Sequence, residues 1–187
     1  RNPMADRLNA MITEEMERTD AMRFEPYAYA AALFFYNSEA GYRHIPHALK
    51  YRGIIASGQY FGRLLGEKAA SSPFLKDIDL VVPTPLHWTR LLKRGYNQAE
   101  IIASAFSEAT GAELCTKLLN RKKRTGTQTV LDNEAKRDNV RNAFMADEKV
   151  AKRYSPTHIA VIDDVFTTGA TSHACYRALR TLFGTGV

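Results

Sequence analysis

Apolar and polar positions alternate along the chain in two rhythms, one of period near 3.6 and one of period two. Met4, Leu8, Met11, Ile12 and Met16 recur at helical spacing. Asn2-Pro3 ahead of them reads as an N-cap with proline at the first helical position, so a helix is predicted over about residues 1–25. Tyr27, Tyr29, Ala31, Leu33 and Phe35 alternate as a strand would, with Gly41 closing the next turn. From about Tyr42 to Ala70 the helical rhythm returns, with Ile45, Leu49, Phe61, Leu64 and Leu65 as core positions and Gly53 splitting it into two helices. Ile78 to Val82 is a short apolar run stopped by Pro83-Thr84-Pro85, which predicts a buried strand feeding a rigid loop.

Asn97 and Glu100 form a capping-box pattern, and Gly111 stands where a helix-ending glycine belongs. Ile101, Ile102, Ala105, Phe106 and Ala109 make the apolar face between them. Ile159 to Ile162 predicts a second apolar strand, and Ala174, Ala178, Leu179 and Leu182 the buried stripe of the helix after Thr171. Strands alternating with helices imply an α/β fold, a parallel sheet with helices on both faces. The stretch from Arg121 to Lys152 is polar, contains Gly126, and reads as a long loop of the kind that is functional or mobile.

The length of 187 residues fits one domain with a genuine core, spanning 1–187. No apolar run approaches the roughly 20 residues needed to cross a bilayer, and no secretory signal is visible. Cys115 and Cys175 stand far apart without a CxxC pattern. That gives neither a disulfide framework nor a metal knuckle, fits a reducing cytoplasm, and makes both cysteines buried small hydrophobes.

A net charge of +6 favours anionic partners. The cations gather at Arg90-Lys93-Arg94, at Arg121-Lys122-Lys123-Arg124 and at Lys136-Arg137-Arg141. A solvated face and an anion site are both open for these clusters. His44 and His47 share a helix spacing, but Pro46 lies between them and no third ligand is evident, so surface or capping roles are expected. Trp88 and Tyr96 flank basic residues; anchoring a loop to the core is the commoner use, stacking on bases the other.

The sharpest chemistry lies in Val161-Ile162-Asp163-Asp164-Val165-Phe166-Thr167-Thr168-Gly169-Ala170-Thr171. An apolar strand ends, two carboxylates follow, a short turn comes next, and a helix starts near Gly169-Ala170. The crevice at the carboxyl ends of strands is where open α/β sheets take ligands. Amides of the turn and the helix N-terminus would converge on a phosphate there. Gly169 lets the backbone approach, Thr167, Thr168 and Thr171 add hydroxyls, and Asp163 with Asp164 would accept from neighbouring ribose hydroxyls. The two acids would also favour positive charge on the sugar as its C1 leaving group departs. A mononucleotide P-loop would need Gly-Lys-Ser/Thr, which is absent.

This segment resembles the sugar-phosphate motif of the type I phosphoribosyltransferases almost position by position. Val82-Pro83-Thr84-Pro85-Leu86-His87-Trp88 and Arg94-Gly95-Tyr96-Asn97-Gln98-Ala99 resemble the early signature of the ComF family, phosphoribosyltransferase-like proteins associated with competence for DNA uptake. Arg121, Arg124, Thr125, Thr127, Gln128, Arg137, Asn139-Val140-Arg141 and Ala143-Phe144 resemble that family's central loop. The resemblance runs from about Ala31 to Phe183. It implies a type I phosphoribosyltransferase-like fold and phosphoribosyl pyrophosphate as ligand, with Mg²⁺ carried by the diphosphate and touching Asp163 or Asp164.

In that picture Asp163, Asp164, Val165, Thr167, Thr168, Gly169, Ala170 and Thr171 hold the 5-phosphoribosyl group. Thr84, Lys93 and Arg94 face the pyrophosphate. Arg124 leads a flap that excludes water, and is grouped with Asp163 and Asp164 as catalytic. Transfer to a nitrogen nucleophile is the implied reaction, and single-stranded DNA binding in uptake the rival function. The family commonly carries an N-terminal zinc finger of paired CxxC knuckles. This chain has none, starts as though just after it, and ends before an expected further strand, so a fragment is expected.

Overall fold

A computed structural model describes residues 10, 29–34, 55–121 and 143–184. In chain order the elements are α1 (Ile55–Ala70), β1 (Leu80–Pro83), α2 (Trp88–Arg94), α3 (Gln98–Thr110), β2 (Glu113–Leu114), β3 (Leu119–Arg121), β4 (Phe144–Ala146), α4 (Glu148–Ala151), β5 (Ile159–Ile162) and α5 (Ala170–Phe183). β1 lies between β2 and β5 in a three-stranded sheet, and both pairings are parallel. Val81 stands opposite Leu114 on one side and Ala160 on the other. This central position explains why all four residues of β1 are buried while β5 is mostly half-buried.

Successive side chains of a strand point to opposite faces, and β1 divides its residues accordingly. Leu80 and Val82 join Ala174, Cys175 and Leu179 of α5 in one core cluster. Val81 joins Ile102, Ala103 and Phe106 of α3, and Ala69 of α1, in another. The sheet is therefore covered by helices on both faces, as the alternating pattern implies.

The close packing of α1 on α3 has a cause in the sequence. Gly58, Gly62 and Gly66 recur every four residues on α1 and are all buried. A Cβ on Gly62 would run into the Ile102 carbonyl oxygen and come within 2.9 Å of Ala105 Cβ, and one on Gly66 would meet Ala109 Cβ at 2.7 Å. Only bare backbone allows this separation, and the helix-propensity cost of glycine is offset by contact with α3.

Helix ends follow the sequence signals. Asn97 caps α3 by accepting from the Ala99 amide at 3.2 Å, and Gly111 ends it with φ 77°. α2 is capped by His87, whose ring nitrogen Nδ1 accepts from the Thr89 amide at 3.4 Å, and it closes on Gly95.

Two expectations change. Residues 29–34 carry no strand: Tyr29, one of the alternating positions, instead packs its ring on Phe74 at 5.3 Å, and Phe34, out of phase with them, packs on Phe61 at 5.3 Å. The loop expected over 121–152 has regular structure at both ends. β3 and β4 pair antiparallel from Leu119↔Ala146 to Arg121↔Phe144, and α4 follows, capped by Asp147 Oδ1 on the amides of Lys149 and Val150. The short strands escaped notice because three residues are too few to display a period. Residues 122–142, the helix expected over 1–25, and His44 and His47 lie outside the described residues, Ala10 alone excepted.

At the amino-terminal edge of the sheet, Asp79 ties the start of β1 to the start of β5. Its Oδ2 accepts from the Thr157 amide at 2.7 Å and the Thr157 hydroxyl at 2.8 Å, and its Oδ1 from the His158 amide at 3.1 Å. Burial pushes this carboxyl up, but the hydrogen bonds from Thr157 and His158 outweigh it and hold the group below its ordinary value.

Candidate functional site

β1 and β5 run parallel in register with Pro83 opposite Ile162, so Thr84 and Asp163 emerge side by side at the carboxyl edge of the sheet. The Thr84 amide donates to the Ile162 carbonyl at 2.8 Å and fixes that juxtaposition. Two of the segments singled out in the sequence, more than 75 residues apart, thus meet at one place. This is the crevice in which a parallel α/β sheet presents ligand-binding loops.

The chain leaves β5 at Ile162 and turns through Asp163–Gly169 into α5. Asp163 Oδ1 accepts from the Asp164 amide at 2.8 Å, which bends the chain away from the strand. Gly169 takes φ 85°, a left-handed conformation that a side chain would strain, and hands the backbone into α5. It provides no side-chain cap. The first intrahelical bond runs from the His173 amide to the Gly169 carbonyl at 2.8 Å, while the Ala170 amide reaches Thr168 Oγ1 at 3.5 Å, the limit of bonding.

The first turn of a 14-residue helix therefore faces a concavity lined by Asp163, Val165, Phe166, Thr167, Gly169, Thr171 and Ser172. Its enclosed space is about 10 Å³, room for about one water, so anything larger sits across an open mouth. The helix dipole and the N-terminal amides favour negative charge at that mouth.

Cys175, in α5, is fully buried. Burial pushes its thiol up to about 12, the Asp163 carboxylate pushes the same way, and the Thr84 hydroxyl and Arg121 partly oppose them. Arg121 also lies with its guanidinium 5.3 Å over the Phe144 ring, across the β3–β4 pair. Both cysteines are free and buried, as their sequence setting implies.

Of the residues expected to hold a phosphoribosyl group, Asp163, Val165, Thr167, Gly169 and Thr171 line the cup, with Asp164, Thr168 and Ala170 between them in the chain. Thr84 is at the same edge but only 7% exposed, and its buried hydroxyl has no hydrogen-bond partner among the described residues. Lys93 is exposed on α2, while Arg94 Nη1 donates to Gln98 Oε1 at 3.1 Å. Arg124 lies outside the described residues.

Sequence reasoning passed over Ser172, whose hydroxyl-bearing position one past the motif was the only clue. It also passed over the second role of Asn97, whose Nδ2 donates to the Thr84 carbonyl at 3.0 Å. Trp88 does not anchor the loop to the core: it is 48% exposed, beside the His87 ring at 5.9 Å.

Among the described residues no group of three or more His, Cys, Asp or Glu is placed to hold a metal. No helix among the described residues is long and apolar enough to cross a membrane.

Comparison with known proteins adds relatives. The chain is 35% identical over 109 residues to Competence protein F of Haemophilus influenzae, covering 58% of this chain and 47% of that protein. It is 31% identical over 93 residues to DNA utilization protein YhgH of Escherichia coli strain K12, covering 50% of this chain and 39% of that protein. Against the protein of the same name from Salmonella typhimurium it is 29% identical over 128 residues, covering 67% of this chain and 55% of the relative. The chain spans about half the length of the curated relatives it matches. No family model matches the chain. No solved structure matches it either.

Proposed function

The chain is a relative of the ComF proteins, and from that premise we propose that it binds phosphoribosyl pyrophosphate with Mg²⁺ at the carboxyl edge of its sheet and serves in competence or DNA uptake. The observation that carries this reading is the turn from Asp163 to Gly169, which brings Asp163 and the first turn of α5 to one cup, with Asp164 next in the chain. The 5-phosphate takes the amides of that first turn with Thr167 and Thr171 hydroxyls. The acids accept from the ribose hydroxyls, and one of them contacts the Mg²⁺ that neutralises the diphosphate. Thr84 and Lys93 stand on the pyrophosphate side, with Arg94 held by Gln98.

As a transferase, the protein would let a nitrogen lone pair form a bond to C1 while the C1–O bond breaks and pyrophosphate leaves with its electrons. The acids stabilise the positive charge that builds on the sugar, so catalysis is positioning and electrostatics rather than a covalent intermediate. Arg124 would add charge to the departing pyrophosphate. Two buried free thiols suit action in the reducing cytoplasm. Calorimetric titration with phosphoribosyl pyrophosphate and Mg²⁺ tests the reading: saturable binding supports it, and no heat of binding at millimolar ligand ends it. Turnover with ammonia, glutamine or a panel of bases then tests transfer.

A second reading is favoured by α2. It has no buried residue, exposes Trp88 at 48% and Leu92 at 76%, and carries Arg90 and Lys93 on its surface. An aromatic platform flanked by cations suits single-stranded DNA, which fits the names of the relatives. Affinity for a labelled oligonucleotide should then fall steeply as salt rises, and no binding at low salt would remove this reading.

A further inference from the structure

We propose that Asn97 is a positioning residue for the pyrophosphate side of the site, fixing through one side chain both the start of α3 and the turn that follows β1. The inference rests on the phosphoribosyl pyrophosphate reading above and assigns a specificity role within that site.

Asn97 uses its two side-chain atoms in opposite directions. Oδ1 accepts from the Ala99 amide at 3.2 Å, which caps α3, and Nδ2 donates to the Thr84 carbonyl at 3.0 Å, thirteen residues earlier. The neighbouring residues make this attachment rigid. Gln98 is 1% exposed and Ala99 is 3% exposed, so the helix end is embedded in the core. Gln98 Oε1 also receives Arg94 Nη1 at 3.1 Å, which ties the end of α2 to the same point.

What Asn97 holds is the exit of β1. The Thr84 amide is already committed to the Ile162 carbonyl at 2.8 Å, and Pro85 has no N–H, so Leu86 supplies the first main-chain donor of the turn that the chain could offer an anion. With the Thr84 amide bound to β5 and its carbonyl bound to Asn97, both ends of that residue's peptide polarity are fixed. The orientation of the turn beside Asp163 follows. A capping serine or threonine would do the first job equally well, but its hydroxyl is an atom shorter and has no amide to donate toward Thr84. The choice of asparagine is thus explained by the second job.

The division of labour predicts a ligand-specific effect. The 5-phosphate depends on the turn Asp163–Gly169 and α5, which Asn97 does not touch. The diphosphate depends on the turn after β1, which it does.

The test compares Asn97→Ser and Asn97→Thr with the wild type, titrating each with phosphoribosyl pyrophosphate plus Mg²⁺ and separately with ribose 5-phosphate. Both variants keep a neutral cap, so their unfolding midpoints should stay close to wild type. Affinity for phosphoribosyl pyrophosphate should fall at least about fivefold, the scale of one lost hydrogen bond, while that for ribose 5-phosphate changes less than about twofold. Equal losses for both ligands, or no loss for either, would overturn the positioning role while leaving the site itself standing. A wild-type protein that binds neither ligand would overturn both the site and this role.

Discussion

Two side chains illustrate what single residues contribute. Cys175 sits in the core with its thiol raised to about 12 by burial and by Asp163, so at neutral pH it is a neutral, unreactive group. Neither it nor buried Cys115 should react with a thiol reagent in the native protein, and both should react on unfolding; rapid native labelling would contradict their placement. Asp79 is the opposite case, a carboxylate favoured in its charged form by the Thr157 and His158 donors. Its folded-state pKa lies below its unfolded value, so its stabilisation is complete above the unfolded carboxylate range. That stabilisation is lost as pH falls through the folded value. Asp79→Ala should lower stability by about 1–2 kcal/mol near pH 7, discounted for the exposed setting, and the gap from wild type should narrow in acid. Denaturant melts at a series of pH values measure this.

At the scale of elements, the pairing of α1 with α3 depends on absent side chains. Gly62→Ala gains about 1 kcal/mol of helix propensity but forces a methyl against the Ile102 carbonyl and Ala105 Cβ. Over-packing costs about 1–3 kcal/mol, so net destabilisation is expected, and a raised unfolding midpoint would contradict the close approach. Sequence made much of this level legible. The capping signals at Asn97 and Gly111 and the apolar runs at β1 and β5 are local, and each was readable because neighbouring residues alone determine it. β3 and β4 were not legible, being three residues each and stabilised by pairing and by packing on α5 rather than by pattern. Nor was the fate of Tyr29 and Phe34, which make ring contacts with Phe74 and Phe61.

Across the whole molecule, the parallel sheet brings the exit of β1 to the exit of β5, and function is argued from that meeting. The Asp163–Thr171 segment was readable because strand, acids, turn and helix follow one another in the chain. The bonds that secure the two edges of the sheet were not, because Asn97 to Thr84 at the carboxyl edge and Asp79 to Thr157 at the amino-terminal edge join residues whose proximity only the fold creates. The ligand reading also has a charge consequence: with a net +6, binding of the diphosphate should weaken as salt rises, though less steeply than a polyanion would. The most direct test of the central claim is a calorimetric titration of Asp163→Asn with Asp164→Asn beside the wild type, using phosphoribosyl pyrophosphate and Mg²⁺ and with circular dichroism to verify the fold. The account predicts saturable binding by the wild type and none by the folded double variant; unchanged affinity in that variant would contradict it.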